Sequence, residues 1–291
     1  MKIEDYPARE PLSPLGRAYQ ERVLAAGHEV LGEEFAYGDG PWQRLTLHHA
    51  AQPGGPVLLF LHGGGWTNGY KEWMDFMAPA LNALGVVFVT AGYRLAPEHS
   101  FPDGFDDAAS AMAWVHRHVG AHGGDPDRLF VGGHSAGGHY AALLAVTSAW
   151  RRLHRLPADV VRGCLPVSGV YRFDAESGLS MRPRFLGPPE PHDAATEASP
   201  LLVLEPAATP AFLLTWGTRD FPHLVTQGRQ MAEALIAAGV PVDTHVLEGC
   251  DHFEASLACG DARSGWPARA AAWMQAVDAT KSEPQAPRRS P

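Results

Sequence analysis

From residue 57 onward the sequence alternates short apolar runs with longer segments of helical periodicity, and this alternation restricts the fold more than any other feature. The runs fall at 57–61, 86–90, 129–132, 164–167, 211–216 and 242–247. Apolar runs of this length are the form strands take when both faces of a sheet are covered, although 242–247 carries Asp243, Thr244 and His245 within it. Between them lie segments at 71–84, 103–119, 136–150 and 224–238, each amphipathic or rich in small residues, which predict helices. Repeated β-α-β units give a mostly parallel central sheet with right-handed crossovers, helices on both faces and ligands at the carboxyl ends of the strands. The expected class is α/β. Ahead of this region, 34–37 and 42–48 flank the turn signal Gly38-Asp39-Gly40-Pro41 and predict an antiparallel edge hairpin.

With 291 residues, 45% hydrophobic and 19% charged, the chain can bury one full core. The main domain is expected at 31–280. Residues 1–30 form a helical or cap segment ahead of it, with Tyr19, Val23 and Leu24 at helical spacing. The interval 171–210 mixes Pro183, Pro188, Pro189 and Pro191 with Met181, Phe185 and Leu186, and reads as a small cap insertion beside a binding site. The polar, proline-rich end, 281–291, reads as a disordered tail.

The net charge is -9, with the basic residues scattered rather than gathered, which argues against nucleic acid and anionic membranes as partners. No stretch approaches the roughly 20 apolar residues of a membrane span, and Met1 to Tyr6 lack a basic region followed by an apolar run. A cytoplasmic protein is expected, and a homodimer is compatible with the sequence. Three cysteines, Cys164, Cys250 and Cys259, provide neither a disulfide framework nor a zinc spacing. The 15 histidines include His48-His49 and the pair His116 and His118, without nearby Cys or carboxylates at ligand-like spacing, so no metal site is expected.

Gly133-His134-Ser135-Ala136-Gly137 sits between the apolar run ending near Gly132 and the small-residue segment from Ala136. Gly-x-Ser-x-Gly in that setting is a nucleophile elbow, a strand-to-helix turn too tight for side chains beside the serine. A serine hydroxyl needs a base to take its proton, and the base needs an acceptor to fix its tautomer. His252 follows the last strand run, where a loop can carry the imidazole over the serine. Asp220, just past the preceding strand, is the expected acid; Asp251 is the rival, disfavoured because adjacent side chains rarely converge. For the oxyanion, His62-Gly63-Gly64-Gly65-Trp66 follows the run 57–61, and the Gly64, Gly65 and Ala136 amides are the expected donors. The glycine run is neither a P-loop nor a dinucleotide fingerprint. Trp66 and His134 are the expected substrate-contacting side chains, with Trp66 either lining the mouth or simply packing.

Together these motifs resemble the hormone-sensitive-lipase-like branch of the α/β-hydrolases and its neighbours, the arylformamidases (kynurenine formamidases). His62-Gly63-Gly64-Gly65-Trp66, Tyr93-Arg94-Leu95-Ala96-Pro97-Glu98, Gly124-Asp125-Pro126-Asp127-Arg128 and Gly133-His134-Ser135-Ala136-Gly137-Gly138 carry the resemblance, which covers about residues 55–255. It implies an α/β-hydrolase fold and hydrolysis of small esters or amides without a cofactor. His134 and Asp251-His252-Phe253 look more like the formamidase side, and Gly65 more like the esterase side. The expected activity is that of a carboxylesterase, with hydrolysis of N-formylkynurenine-like formamides as the alternative. Acyl transfer or lactone opening by the same residues, and a binding protein on a hydrolase scaffold, are the remaining readings.

Overall fold

A computed structural model describes residues 3–282. The strands are β1 (Glu33–Ala36), β2 (Arg44–His48), β3 (Gly55–Leu61), β4 (Val87–Ala91), β5 (Gly124–His134), β6 (Val161–Val167), β7 (Ala211–Gly217) and β8 (Val242–Leu247). They form one eight-stranded sheet in the order β1-β2-β4-β3-β5-β6-β7-β8. β1 pairs with β2, and β2 with β4, in antiparallel fashion. From β4 to β8 every pairing is parallel. The chain passes from β3 to β4 on one side and then returns to β5 on the other. The crevice between the carboxyl ends of β3 and β5 is therefore the switch point at which open α/β sheets place their sites.

The helices are α1 (Pro14–Gly27), α2 (Ala78–Asn82), α3 (Asp103–His118), α4 (Ala136–Val146), α5 (Ala149–Leu153), α6 (Pro222–Ala237), α7 (His252–Ala258) and α8 (Trp266–Ser282). Side chains alternate across a strand, and β3 shows how this assigns helices to faces. Val57, Leu59 and Leu61 pack with Met112 and Val115 of α3, Leu144 of α4 and Met231 and Leu235 of α6. Leu58 and Phe60 point the other way, onto Tyr19 and Val23 of α1, Leu81 of α2, Ala255 of α7 and Trp266 and Met274 of α8. Each such fully buried large side chain contributes about 1.5–3 kcal/mol.

Several elements differ from expectation, each for a local reason. The segment expected as one helix over 71–84 is a 3-10 turn, Lys71–Met77, running into the short α2. Pro79 accounts for the break, because its ring is accommodated in the first helical turn and not in an interior one. The helix expected over 136–150 divides into α4 and α5 at Thr147, which is extended and whose hydroxyl donates to the Leu143 carbonyl at 2.7 Å. β5 begins earlier than its apolar run, with Gly124 pairing to Gly55. α7 and α8 were not anticipated. The disordered tail expected over 281–291 falls outside the described residues, except that Lys281 and Ser282 close α8.

Candidate active site

Ser135 stands at the end of β5 with φ 55° and ψ -117°, a left-handed conformation that costs a non-glycine residue about 1–3 kcal/mol. The surrounding close packing enforces it. A side chain at Gly137 would meet the Leu61 carbonyl oxygen at 2.1 Å, and one at Gly133 would meet the Gly137 backbone at 2.3 Å. The Ser135 amide donates to Val167 of β6 at 2.9 Å, and its carbonyl accepts from His139 of α4 at 3.0 Å. The hydroxyl is thereby lifted off the sheet at the head of α4, whose first-turn amides have no partner within the helix.

His252 Nε2 lies 3.0 Å from the Ser135 hydroxyl, and Nδ1 lies 2.9 Å from Asp220 Oδ1. Asp220 and His252 are both buried. Asp220 also accepts from the Phe221 amide at 2.7 Å and, through Oδ2, from the Ser168 hydroxyl. Burial works to raise the Asp220 pKa, but the hydrogen bonds from His252, Ser168 and the Phe221 amide outweigh it and hold the carboxyl below its usual range. An ionised carboxylate on Nδ1–H leaves Nε2 as the acceptor toward the serine, the arrangement in which a hydroxyl can be deprotonated as it attacks.

The loop after β3 completes the site. Gly64 and Gly65 have φ of 119° and 62°, and the Gly64 carbonyl accepts from the amides of Thr67 and Asn68 at 3.3 and 3.0 Å. A cavity of about 320 Å³ opens in front of Ser135, lined on one side by Gly63, Gly64 and Gly65 and elsewhere by aromatic and apolar groups including Tyr19, Trp73 and Phe221. The loop is fixed from below: Tyr93 donates its hydroxyl to the His62 carbonyl at 2.7 Å and stacks on the His62 ring at 4.2 Å. Arg94 next to it is clamped by the buried Asp107 of α3, which accepts from its Nε at 2.8 Å, from its Nη2 at 2.9 Å and from its backbone amide at 2.8 Å.

Residues 58–255 match the family model described as alpha/beta hydrolase fold. The chain belongs to the α/β-hydrolase-fold family. Among its relatives, esterase LipC of Mycobacterium tuberculosis is 32% identical over 80% of this chain and 60% of that protein. A probable isoprenylcysteine alpha-carbonyl methylesterase of Arabidopsis thaliana is 29% identical over 76% of this chain and 50% of that protein. The chain thus spans about half to three fifths of the length of these relatives. Among solved structures, the thermophilic carboxylesterase EstE1, cloned from a metagenomic library, is 26% identical with a TM-score of 0.71, covering 91% of this chain and 98% of that one.

Within this α/β-hydrolase, one of the two expected substrate contacts reaches the cavity and the other packs behind it. Trp66 does not line the cavity: its ring stacks on Phe185 at 4.2 Å and its Nε1 donates to His139 Nδ1 at 3.0 Å, while its carbonyl accepts from the Ala96 amide at 2.8 Å. It braces the glycine loop from behind because its own φ of 61° turns the side chain into the core. His134 does reach the cavity wall, but it is buried, and its Nε2–H donates to the His252 carbonyl at 2.9 Å. It holds the backbone of His252.

Residues 171–210, expected as a cap insertion, supply none of the residues lining this cavity. They are irregular, with Phe173 and Phe185 packed on His139 and Trp66, and the Ala198 carbonyl accepts from His139 Nε2 at 2.7 Å. Part of the cavity wall comes from the N-terminal segment, the other expected cap segment, through Pro11, Leu12, Ser13, Gly16 and Tyr19. Ser168, which donates to Asp220, was missed. Its signal was its place immediately after the apolar run ending at Val167, the same carboxyl edge that carries Ser135 and Asp220. Among the described residues no three His, Cys, Asp or Glu side chains are grouped as a metal ion would need, and no helix is long and apolar enough to cross a membrane.

Proposed function

We propose that the protein is a serine carboxylesterase acting on compact, uncharged esters, with Ser135 as nucleophile, His252 as base and Asp220 as the acid that orients it. The observation that carries this reading is the unbroken hydrogen-bonded chain from Ser135 through His252 to Asp220, at 3.0 and 2.9 Å, opening into the glycine-walled cavity.

In the first half-reaction His252 Nε2 takes the Ser135 proton as the oxygen attacks the ester carbonyl. The developing oxyanion accepts hydrogen bonds from the Gly64, Gly65 and Ala136 amides. The imidazolium, stabilised by Asp220, gives its proton to the departing alcohol. Water, deprotonated by His252, then releases the acid from the acyl-enzyme. At about 320 Å³ the cavity is at the small end for a ligand site, which favours a compact ester. Among the described lining residues no Lys, Arg, Asp or Glu is present to pair with the ammonium and carboxylate of an N-formylkynurenine-like formamide, which weighs against that alternative.

The test is the ratio of kcat/KM for N-formyl-L-kynurenine to that for p-nitrophenyl acetate, with Ser135→Ala as blank. The expected ratio is far below one. A ratio well above one would replace the esterase reading by the formamidase one, and Ser135→Ala retaining near-full activity would overturn both.

A further inference from the structure

His252 opens α7, and Ser256 lies one turn further along the same helix. The buried Ser256 hydroxyl is 2.7 Å from the hydroxyl of Tyr19, one donating to the other across a separation of 237 residues. Tyr19 belongs to α1, an element remote in sequence from every residue of the proposed chemistry. Its ring packs on Phe253 with centroids 5.0 Å apart, meets Trp73 edge-on at 5.5 Å and approaches His134 at 6.2 Å. The same side chain lines the cavity in front of Ser135.

The other contacts on His252 come from the edge of the sheet, from its own helix and from the Phe221 ring, with centroids 4.9 Å apart. Asp220 holds Nδ1, His134 holds the carbonyl, and the box formed by Asp251 and Glu254 caps the start of α7. Of these, His134 and Phe221 also line the cavity, His134 holding only the backbone of His252 and Phe221 making only a ring contact. Tyr19 is at once cavity wall and hydrogen-bonded tether to α7.

We infer that Tyr19 is a positioning residue for His252, coupling the fit of the bound acyl group at α1 to the alignment of the base at the head of α7. This rests on the esterase reading. An acyl group that lies flat against the Tyr19 ring leaves Ser256, and with it α7, in register. One that displaces the ring pulls on Ser256 and lengthens the contact from His252 to Ser135, so poor fit is penalised in turnover as well as in binding. Small displacements of reacting groups have large kinetic effects, since misplacement by about 1 Å can cost on the order of 10²-fold.

Tyr19→Phe keeps the ring and removes the tether, and Ser256→Ala removes the tether from the side that does not face the cavity. The experiment measures kcat and KM for p-nitrophenyl butyrate, the rate at which a fluorophosphonate probe labels Ser135, and Tm, for wild type, both single variants and the double variant. The expected result is a fall in kcat on the order of tenfold in each single variant, with KM within about twofold. Labelling should slow in parallel, and the double variant should be no worse than either single. Wild-type kcat and labelling in both single variants, whatever the change in Tm, would reduce the hydrogen bond to core packing and overturn the inference. A change confined to KM in Tyr19→Phe would leave Tyr19 a wall only and overturn it as well. Wild-type protein that neither labels nor hydrolyses ester would overturn the esterase reading itself, and the inference with it.

Discussion

Asp251 precedes His252 in the chain, yet its carboxylate turns away from the imidazole and accepts from the amides of Phe253 and Glu254 at 2.9 and 2.8 Å. Glu254 reciprocates by accepting from the Asp251 amide at 2.9 Å, so the pair closes a capping box at the start of α7. The imidazole is left to Asp220.

That division separates two otherwise similar substitutions. Asp220→Asn should lower kcat by about 10⁴-fold, because an amide no longer fixes the tautomer that points a lone pair at Ser135. Asp251→Ala should cost about 1 kcal/mol of stability through the lost cap, with kcat reduced far less. Steady-state kinetics and denaturant unfolding on the two variants read both effects; equal losses of kcat would return Asp251 to contention as the acid.

Gly64 and Gly65 are adjacent and both have positive φ, but their surroundings differ. A Cβ at Gly64 would stand 2.1 Å from the Asn68 carbonyl oxygen, whereas one at Gly65 would meet nothing within 4 Å. Gly64→Ala should therefore displace the loop and cost on the order of 10²- to 10³-fold in kcat, the scale of losing an oxyanion donor. Gly65→Ala pays only the backbone strain and should lose clearly less. Kinetics on the pair with p-nitrophenyl acetate would show the order, and a reversed order would contradict the loop geometry.

Asp107 is buried and is the acceptor for three donors of Arg94 and for the Gln43 amide at 2.8 Å. Asp107→Ala would strip the Arg94 amide, its Nε and the Gln43 side chain of this acceptor and leave Nη2 only the Asp103 carbonyl at 3.2 Å, and breaking a buried pair from one side destabilises by about 3–5 kcal/mol. Urea unfolding should show a loss toward the lower end of that range, because the guanidinium is partly exposed; a change below about 1 kcal/mol would mean that water replaces the carboxylate.

Three buried histidines make the fold sensitive to acid. Burial pushes His62 down to about 4, and His134 and His139 to about 3, the neighbouring His252 adding to the effect on His134. The unfolded chain binds these protons below about pH 6.5 while the folded chain does not. The stability they contribute is thus fully present above about pH 6.5 and is lost as pH falls toward 3 to 4. Near pH 5 the slope approaches three protons, about 4 kcal/mol per pH unit, against a total stability of about 5–15 kcal/mol. Denaturant midpoints measured from pH 7.5 to 4.5 should fall steeply below 6.5; a flat profile would show that these imidazoles accept protons in place.

The sequence by itself determined the parallel sheet, the elbow and the order in which Ser135, Asp220 and His252 reach its carboxyl edge. Apolar runs read as covered strands, and the five from 57–61 to 211–216 are interior, whereas 242–247 forms the largely exposed edge strand β8; the glycines around Ser135 are required wherever strand and helix backbones come this close. Ser135, Asp220 and His252 each follow a strand run directly, so parallel strands bring them to one edge. What the tertiary structure decided concerns side chains whose neighbours lie far along the chain. Trp66 stands in a glycine loop beside the site, and only its positive φ and the distant Phe185 and His139 turn it into the core. Local sequence likewise does not show that Ser168 serves Asp220, that of the two expected cap segments it is 1–30 that lines the cavity, or that Tyr19 meets Ser256. Periodicity reports which face of an element is buried. It carries no information about which partner waits there, and for a site assembled from separate strands and helices that partner is set by packing alone.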